Sequence, residues 1–193
     1  PYDHMESLMK KAYRSNIQTI EKTYGLIDST VIESVAQEII SCRNIYLFGI
    51  GSSGIVCEDF QHKLLRIGKT SIYYTDTHLQ LTAVPNMQKD DLAFFVSYSG
   101  KTKEIVTAAK WAKRVGIKSV AITQSAYNDL GKLVDMVITI PIEEKELRIG
   151  ATSSRLSSLV VIDLLYYGVA RHDKEETHKS IVDTRKIIDE IQK

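Results

Sequence analysis

Short, continuous apolar stretches rich in β-branched and aromatic residues recur along the chain. Between them, apolar residues follow a helical period. Continuous rather than alternating hydrophobicity is typical of strands buried on both faces of a parallel sheet. Five stretches fit this description: residues 45–48, 71–74, 92–96, 119–122 and 136–140. Because parallel strands joined by helices need right-handed crossovers, the pattern predicts an α/β fold with a doubly wound, five-stranded parallel sheet.

Helical periodicity fills the gaps between the predicted strands and continues at both ends of the chain. Gly68 and Gly116 end two of these helices, since glycine readily adopts the left-handed conformation that follows a helix. Extra helices are predicted at both termini, over residues 6–24, 29–41, 152–172 and 174–192. We interpret residues 1–4 as a cloning scar, residues 5–28 as an N-terminal connector helix and residues 29–193 as one domain that includes the C-terminal helices.

The charge and the cysteine content of the chain argue against several classes of protein. The chain has 25 basic and 24 acidic residues, and its net charge of +1 argues against the strongly basic surface of a nucleic-acid-binding domain. Its two cysteines, Cys42 and Cys57, lack the spacing of a zinc site or a thioredoxin-type redox pair. No apolar run approaches the roughly 20 residues of a membrane span, and no signal peptide is visible. We therefore expect a reduced, cytoplasmic protein without a metal, cofactor or membrane partner.

A glycine-rich loop with the spacing G-x-G-x-x-G follows the first strand, from Gly49 to Gly54, and begins a helix. Glycines let the backbone approach an anion closely, and the amides at a helix N-terminus bind it. The same spacing is the dinucleotide-binding fingerprint, and Asp76 stands 22 residues beyond Gly54, near where a ribose-binding acid is expected. A nicotinamide-dependent oxidoreductase therefore stays an alternative at this stage.

The third strand leads into a second loop, from Ser97 to Thr102, which reads S-Y-S-G-K-T and also begins a helix. In the flavodoxin-like strand order 2-1-3-4-5, strands 1 and 3 are neighbours, so both loops converge on one small ligand. In the dinucleotide order 3-2-1-4-5-6, strand 2 separates them. Taken singly, such serines and glycines are also ordinary helix caps. Together, the two hydroxyl-rich loops favour a phosphomonoester over a dinucleotide.

Several segments, in this order, resemble the sugar isomerase (SIS) domain, and more narrowly the effector-binding SIS domain of the RpiR/MurR family of bacterial transcriptional regulators. The segments that carry the resemblance are residues 48–54, 63–69, 76–80, 97–104, 148–155 and 162–165. The resemblance covers about residues 30 to 170. It implies the strand order 2-1-3-4-5, a sugar-phosphate pocket where strands 1 and 3 end, and an SIS domain over residues 29–193.

The resemblance also implies a ligand site built from both loops. Ser53 matches the first-loop serine that contacts the ligand in SIS domains, and the second loop holds the phosphate with its hydroxyls and backbone amides. The implied sugar-phosphate-binding residues are Gly51, Ser52, Ser53, Ser97, Tyr98, Ser99, Gly100 and Thr102. Further candidate sugar contacts are His78, Lys101, Glu143 and Arg155. For Arg155 the alternative role is a salt bridge to Asp163.

Two functions fit such a site. RpiR-like regulators carry a helix-turn-helix module before the SIS domain, and we expect this chain to be the sensor domain without that module. It is expected to bind a phosphorylated sugar without catalysis, to form a homodimer or tetramer, and to reach DNA only through the missing module. The alternative is an aldose-ketose isomerase of the same superfamily, which needs a general base. His78 and the glutamates after the fifth strand, Glu143 among them, are the candidate bases.

Overall fold

The structure is a computed structural model that describes residues 4–142 and 151–191. Its parallel sheet consists of β1 (Ile45–Phe48), β2 (Ser71–Tyr73), β3 (Leu92–Val96), β4 (Lys118–Thr123) and β5 (Met136–Thr139). The strands lie in the order β2-β1-β3-β4-β5, and each neighbouring pair is parallel. The predicted doubly wound fold and its strand order are confirmed. Every predicted strand boundary agrees with the structure to within one residue.

Seven α-helices surround this sheet in the described part of the chain. They are α1 (Met5–Leu26), α2 (Ser29–Ser41), α3 (Ser52–Arg66), α4 (Thr77–Ala83), α5 (Lys103–Val115), α6 (Thr152–Ala170) and α7 (Lys174–Ile191). The predicted terminal helices are present. No helix in residues 4–142 and 151–191 is long and apolar enough to cross a membrane.

The short helix α4 was not predicted from the sequence, because seven residues give too little apolar periodicity to recognise. Asp76 is its N-cap residue, and the Asp76 carboxylate accepts a hydrogen bond from Leu79 N at 2.9 Å. The dinucleotide interpretation of Asp76 was therefore wrong, since its carboxylate caps a helix. The strand order is also not that of a dinucleotide-binding fold.

The core has two apolar layers, one on each face of the sheet. Successive residues of β3 point to opposite faces, as the pleat requires. Phe94 packs against Phe60 of α3, with ring centroids 5.3 Å apart, and Phe95 stacks on Phe48 of β1 at 4.8 Å. Helices α2, α3 and α6 cover the first face, and α5 covers the second. All five residues of β3 are buried, so the strand that leads into the second loop is held from both sides.

A polar network anchors the amino ends of β1 and β3. The Asp91 side chain is fully buried and accepts hydrogen bonds from Arg43 Nη2 at 3.1 Å, Asn44 Nδ2 at 2.9 Å and Gln88 N at 2.8 Å. Burial alone would raise the pKa of Asp91, but these hydrogen bonds outweigh it and hold the pKa below its usual range. The ionised carboxylate therefore ties the residues before β1 to the turn before β3.

Candidate functional site

The loops after β1 and β3 lie side by side at the carboxyl edge of the sheet. The two strands pair in register, with Phe48 opposite Phe95, so both chains leave the sheet at the same level. A cleft of about 350 Å³ lies between the loops. Its lining residues are Ile50, Ser52, Ser53, Val96, Ser97, Tyr98, Ser99, Thr102, Ile105 and Ala151. The tertiary structure therefore brings together the hydroxyl groups of both loops, which lie more than forty residues apart in the sequence.

The first loop turns sharply at Gly51, whose φ of 60° is in the left-handed region that favours glycine. Gly51 is the N-cap residue of α3 and has no side chain with which to cap the helix. Ser52 and Ser53 form the first turn of α3, where backbone N–H groups lack acceptors within the helix. The turn therefore presents two hydroxyls and a positively polarised helix end to the cleft.

Gln80 of α4 and Tyr73 of β2 hold the first loop in place through hydrogen bonds to the backbone of Gly49. Gln80 is buried; its Oε1 accepts from Gly49 N at 3.2 Å and its Nε2 donates to Gly49 O at 3.0 Å. The Tyr73 hydroxyl donates to Gly49 O at 3.3 Å, and burial raises the pKa of Tyr73 to about 12, which keeps the phenol protonated. The sequence placed Gln80 in a family motif without a role, and the structure shows that it positions the loop.

The second loop closes on itself through short-range hydrogen bonds. Gly100 N donates to Ser97 O at 3.1 Å, and Lys101 N donates to Ser99 Oγ at 3.2 Å. Ser97 Oγ lies 3.4 Å from Thr102 Oγ1, so these two hydroxyls form a pair at the cleft. Thr102 is the N-cap residue of α5, yet its hydroxyl makes no capping hydrogen bond to that helix. Like α3, α5 thus begins at the cleft without a side-chain cap.

Asn128 and Thr123 support the second loop through hydrogen bonds. Thr123 Oγ1 donates to Tyr98 O at 3.1 Å and accepts from Asn128 Nδ2 at 2.6 Å, while Leu130 N donates to Gly100 O at 3.0 Å. Gly100 has a φ of 63°, and a Cβ atom there would lie 2.2 Å from the Asn128 side chain. Any larger residue at this position would require the loop or the Asn128 side chain to move. The sequence analysis did not find this support, because it depends on contacts between distant segments.

A smaller compartment of about 30 Å³ adjoins the cleft where α3 and α6 begin. It shares Ser52, Ser53, Tyr98 and Ala151 with the cleft, so the two spaces are adjacent. Its further lining residues are Val56, Ser154, Arg155 and Ser158.

Arg155 does not form the salt bridge to Asp163 that the sequence offered as an alternative. Asp163 is instead bound to Lys63 Nζ at 2.6 Å. Arg155 is exposed in the second turn of α6 and makes no ion pair with the described residues. That alternative for Arg155 was wrong because Arg155 and Asp163 lie eight residues apart on α6, about 12 Å along the helix axis, while Lys63 of the neighbouring helix α3 is within ion-pair distance of Asp163.

Four other residues predicted to bind the ligand do not line the cleft. His78 is exposed on α4, and Lys101 is exposed in the second loop; neither lines the cleft or the compartment. Gly51 and Gly100 shape their turns but do not line the cleft. Glu143 lies outside the described residues. The lining residues that the structure describes in the two spaces include no Asp, Glu or His, and residues 4–142 and 151–191 contain no group of three such side chains or cysteines able to hold a metal ion.

The family model of the SIS domain matches residues 38–167. This match covers most of the chain, which therefore belongs to the SIS domain family. Within that family, its relatives are transcriptional regulators. The chain is 36% identical over 189 residues to the uncharacterized HTH-type transcriptional regulator YbbH of Bacillus subtilis, covering 97% of this chain and 67% of that protein.

A second relative carries the name of the regulator type that the sequence resembles. The chain is 29% identical over 184 residues to the HTH-type transcriptional regulator RpiR of Escherichia coli, covering 95% of this chain and 62% of that protein. The chain thus spans roughly two thirds of the length of these relatives. The resemblance to SIS domains of RpiR-type regulators is confirmed.

A solved structure of similar fold contains a ligand. The NanR protein of Vibrio vulnificus, complexed with ManNAc-6P, superposes with a TM-score of 0.89 and 27% identity, covering 95% of this chain and 69% of that chain. ManNAc-6P is a phosphorylated sugar and belongs to the ligand class that the two loops indicated.

Proposed function

We propose that this chain is the sensor domain of an RpiR-type transcriptional regulator and that it binds a phosphorylated sugar between the loops after β1 and β3, without catalysis. The observation that carries the proposal is the convergence of two helix starts without side-chain caps, those of α3 and α5, on one cleft rich in hydroxyl groups. Helix N-termini attract anions, and hydroxyls donate to phosphate oxygens without adding charge. The phosphorylated sugar bound by the similar NanR protein supports the same ligand class.

The residues proposed to hold the phosphate are those that the sequence indicated on the two loops. Ser97, Ser99 and Thr102 would donate hydroxyl hydrogen bonds, and the amide of Tyr98 would add a backbone donor. The amide of Gly100 already donates to Ser97 O, so Gly100 would contribute by shaping the loop around the phosphate. On the opposite side, Ser52 and Ser53 would complete the ring of donors. The cleft volume of about 350 Å³ supports this role, because small-molecule sites begin at roughly 300 Å³.

The composition of the cleft supports binding rather than isomerisation. An aldose-ketose isomerase needs a base that moves a proton between adjacent carbons. The described lining residues offer serine, threonine, tyrosine and apolar side chains, together with Arg155. His78, the candidate base that lies within the described residues, is exposed on α4 and not part of the lining. We therefore propose a sensor whose ligand leaves unchanged.

A panel of sugar phosphates and NAD(P) tests this function. At a ligand concentration one hundred times Kd, binding adds about 2.7 kcal/mol of stability, which for a chain of this size raises Tm by about 5 to 10 °C. We expect such a shift with at least one sugar phosphate, and NMR should recover that ligand unaltered after prolonged incubation. Conversion of an aldose phosphate to the ketose would support the isomerase instead. A rise in Tm with NAD(P) alone would exclude both the sugar-phosphate sensor and the isomerase.

We also propose that residues 5–28 act as a connector between the ligand site and a DNA-binding part. Thr19 and Thr23 are the buried residues of α1, and Thr23 Oγ1 is hydrogen-bonded to Ser157 Oγ of α6 at 2.9 Å. The same two turns of α6 carry Ser154 and Ser158, which line the compartment beside the cleft. A ligand that favours one position of these turns would therefore shift α1 as well.

Replacement of Thr23 by valine should weaken this link. We expect a sugar phosphate to slow amide hydrogen exchange in the C-terminal half of α1 in the unaltered chain, and to do so at most half as strongly in Thr23→Val. The loss of the two buried hydrogen bonds of the Thr23 hydroxyl, to Thr19 O and Ser157 Oγ, should also lower the free energy of unfolding by about 1 to 2 kcal/mol. Thr107→Val, at an exposed position on α5, is the matched control. An unchanged response of α1 in Thr23→Val would contradict the connector.

Assembly and DNA binding complete the proposal. Apolar side chains are exposed on the first half of α1 at spacings of three and four residues: Met5, Leu8, Met9, Tyr13 and Ile17. Such a stripe suits packing against the same helix of a second copy, which supports a homodimer or tetramer. Analytical ultracentrifugation tests this, and a monomer at all concentrations would contradict it.

DNA would be contacted by a preceding helix-turn-helix module, as the names of the relatives suggest.

A further inference from the structure

The charged residues of the chain are unevenly distributed, although its net charge is only +1. Residues 101–118, which include α5, hold six of the 25 basic residues and one of the 24 acidic residues. That acid is Glu104, and one of the six cations, Lys118, is paired with Glu38 of α2. The other five cations form a concentration of positive charge that the net charge of the whole chain does not show.

Helix α5 places these cations on its outer surface. Its inner face is buried against the sheet through Ile105, Ala108, Ala109 and Ala112. On the opposite side, exposed residues three, four and seven positions apart share one helix face. We call this surface, with the lysine that flanks it, the α5 basic face, and it consists of Lys103, Lys110, Trp111, Lys113 and Arg114.

The four cations of the α5 basic face make no ion pair with the residues that the structure describes. Lysines on two other helices are paired with an acid one turn away, as Lys10 is with Glu6 on α1 and Lys186 is with Asp183 on α7. Like charges on one face repel each other, and a bound anion relieves that repulsion. The α5 basic face is therefore a complement for a polyanion.

The only tryptophan of the chain lies within this face. Trp111 is 43% exposed, and Arg114 Cζ lies 5.0 Å from the centroid of its ring. This cation–π contact holds the guanidinium at the surface, where its planar donors suit phosphate. Exposed aromatic side chains and arginines are both enriched at binding surfaces. An exposed indole beside four cations without acidic partners in the described residues thus indicates a surface that binds a partner.

We propose that the α5 basic face binds the phosphate backbone of DNA. Lys103 and Lys110 are seven residues apart, about 10.5 Å along the helix, and Arg114 follows Lys110 by four residues, about 6 Å. Each strand of duplex DNA carries one negative charge per roughly 3.4 Å of axis, so every cation can contact a separate phosphate.

The proposed function favours DNA over an acidic protein as the partner. It places a helix-turn-helix module, and with it DNA, next to this domain. A tether of that kind gives a weak second contact a high effective concentration. The inference rests on the proposed function and adds a contact with DNA that is independent of base sequence.

Trp111 provides a direct measurement of this contact on the whole chain. It is the only source of tryptophan fluorescence, so titration with a short DNA duplex of mixed sequence should change its emission. We expect a Kd at the weak end of non-specific DNA binding, about 10⁻⁴ M at physiological salt, and tighter binding at lower salt. Lys110→Gln combined with Arg114→Gln should weaken binding at low salt at least about tenfold. The same double variant should reduce the slope of log Kd against log salt by about 2.

A second double variant, Lys179→Gln with Arg185→Gln at exposed positions on α7, makes the same change in net charge. It should bind the duplex within about twofold of the unaltered chain. Unaltered Trp111 emission at low salt, or equal losses in both double variants, would overturn the DNA contact. Tighter binding of poly-glutamate than of the duplex would assign the face to an acidic protein and would also overturn it.

The test is independent of the sugar-phosphate site, because α5 contacts the cleft only at its first turn and the substituted residues lie in its last two turns. Loss of the DNA contact would therefore leave the Tm increase with a sugar phosphate in place. Failure of every sugar phosphate to raise Tm, with DNA binding retained, would overturn the proposed sensor and leave the DNA contact standing.

Discussion

Replacing both Ser97 and Ser99 by alanine is expected to reduce sugar-phosphate affinity by about a hundredfold or more. Each hydroxyl is proposed to donate to a charged phosphate oxygen, and hydrogen bonds to charged groups contribute about 1.5 to 3 kcal/mol each. Ser97 is buried and its hydroxyl lies beside that of Thr102, and both Ser97 and Ser99 line the cleft. Isothermal titration with the ligand that raises Tm most provides the measurement.

The fold should survive this double substitution. The substitutions remove the bond from Lys101 N to Ser99 Oγ and the contact between the Ser97 and Thr102 hydroxyls. The bonds from Ser97 N to Ile122 O and from Gly100 N to Ser97 O are made by the backbone, which alanine retains. The urea midpoint should therefore move little, and circular dichroism should be unaltered. Ser34→Ala, which removes an exposed hydroxyl on α2, controls for the loss of a serine. If the double variant binds the sugar phosphate as tightly as the unaltered chain, the proposed phosphate site is wrong.

Gly100→Ala should distort the second loop more severely than any hydroxyl deletion. The left-handed backbone at φ 63° costs a non-glycine residue about 1 to 2 kcal/mol, and the new Cβ atom would lie 2.2 Å from Asn128. Either the loop or Asn128 must move, and Asn128 is held through Thr123 Oγ1 at 2.6 Å. We expect a loss of at least about 2 kcal/mol in unfolding free energy and no measurable sugar-phosphate binding.

Two comparisons isolate the reason for the Gly100 effect. Gly116 has a φ of +75° with open space where its Cβ atom would lie, so Gly116→Ala carries the backbone strain alone and should leave ligand affinity unchanged. Combining Gly100→Ala with Asn128→Ala removes the steric clash and should recover part of the stability. A Gly100→Ala protein that binds its ligand normally would show that the second loop does not need its observed shape.

The fold was predictable because its signals are local. The strand β3 has five consecutive apolar residues, all buried, so its limits could be identified from composition alone. Helix α4 was missed because its seven residues, Thr77–Ala83, give too little apolar periodicity to recognise. The competing interpretation of Asp76 as a ribose ligand failed for a related reason, since a capping carboxylate and a binding carboxylate are identical in sequence.

The candidate site was predictable only in part. The serines of the two loops could be predicted as site residues because hydroxyl-bearing residues and glycines cluster directly after two of the predicted strands. The residues that hold those loops in place did not, since Gln80 and Asn128 act through hydrogen bonds to backbone atoms of other segments. The alternative role of Arg155, a salt bridge to Asp163, was wrong, and the ion pair of Asp163 with Lys63 could not be predicted because it depends on how α3 and α6 pack.

The amino-acid sequence by itself determined the five strands, the helices α3 and α5 and the two hydroxyl-rich turns, because each depends on residues that are neighbours in the chain. Only the tertiary structure decided that the two turns share one cleft, that Gly100 is confined by Asn128 and that Arg155 lines the adjoining compartment. These features depend on distances between segments far apart in the sequence, and packing of the helices on the sheet sets those distances.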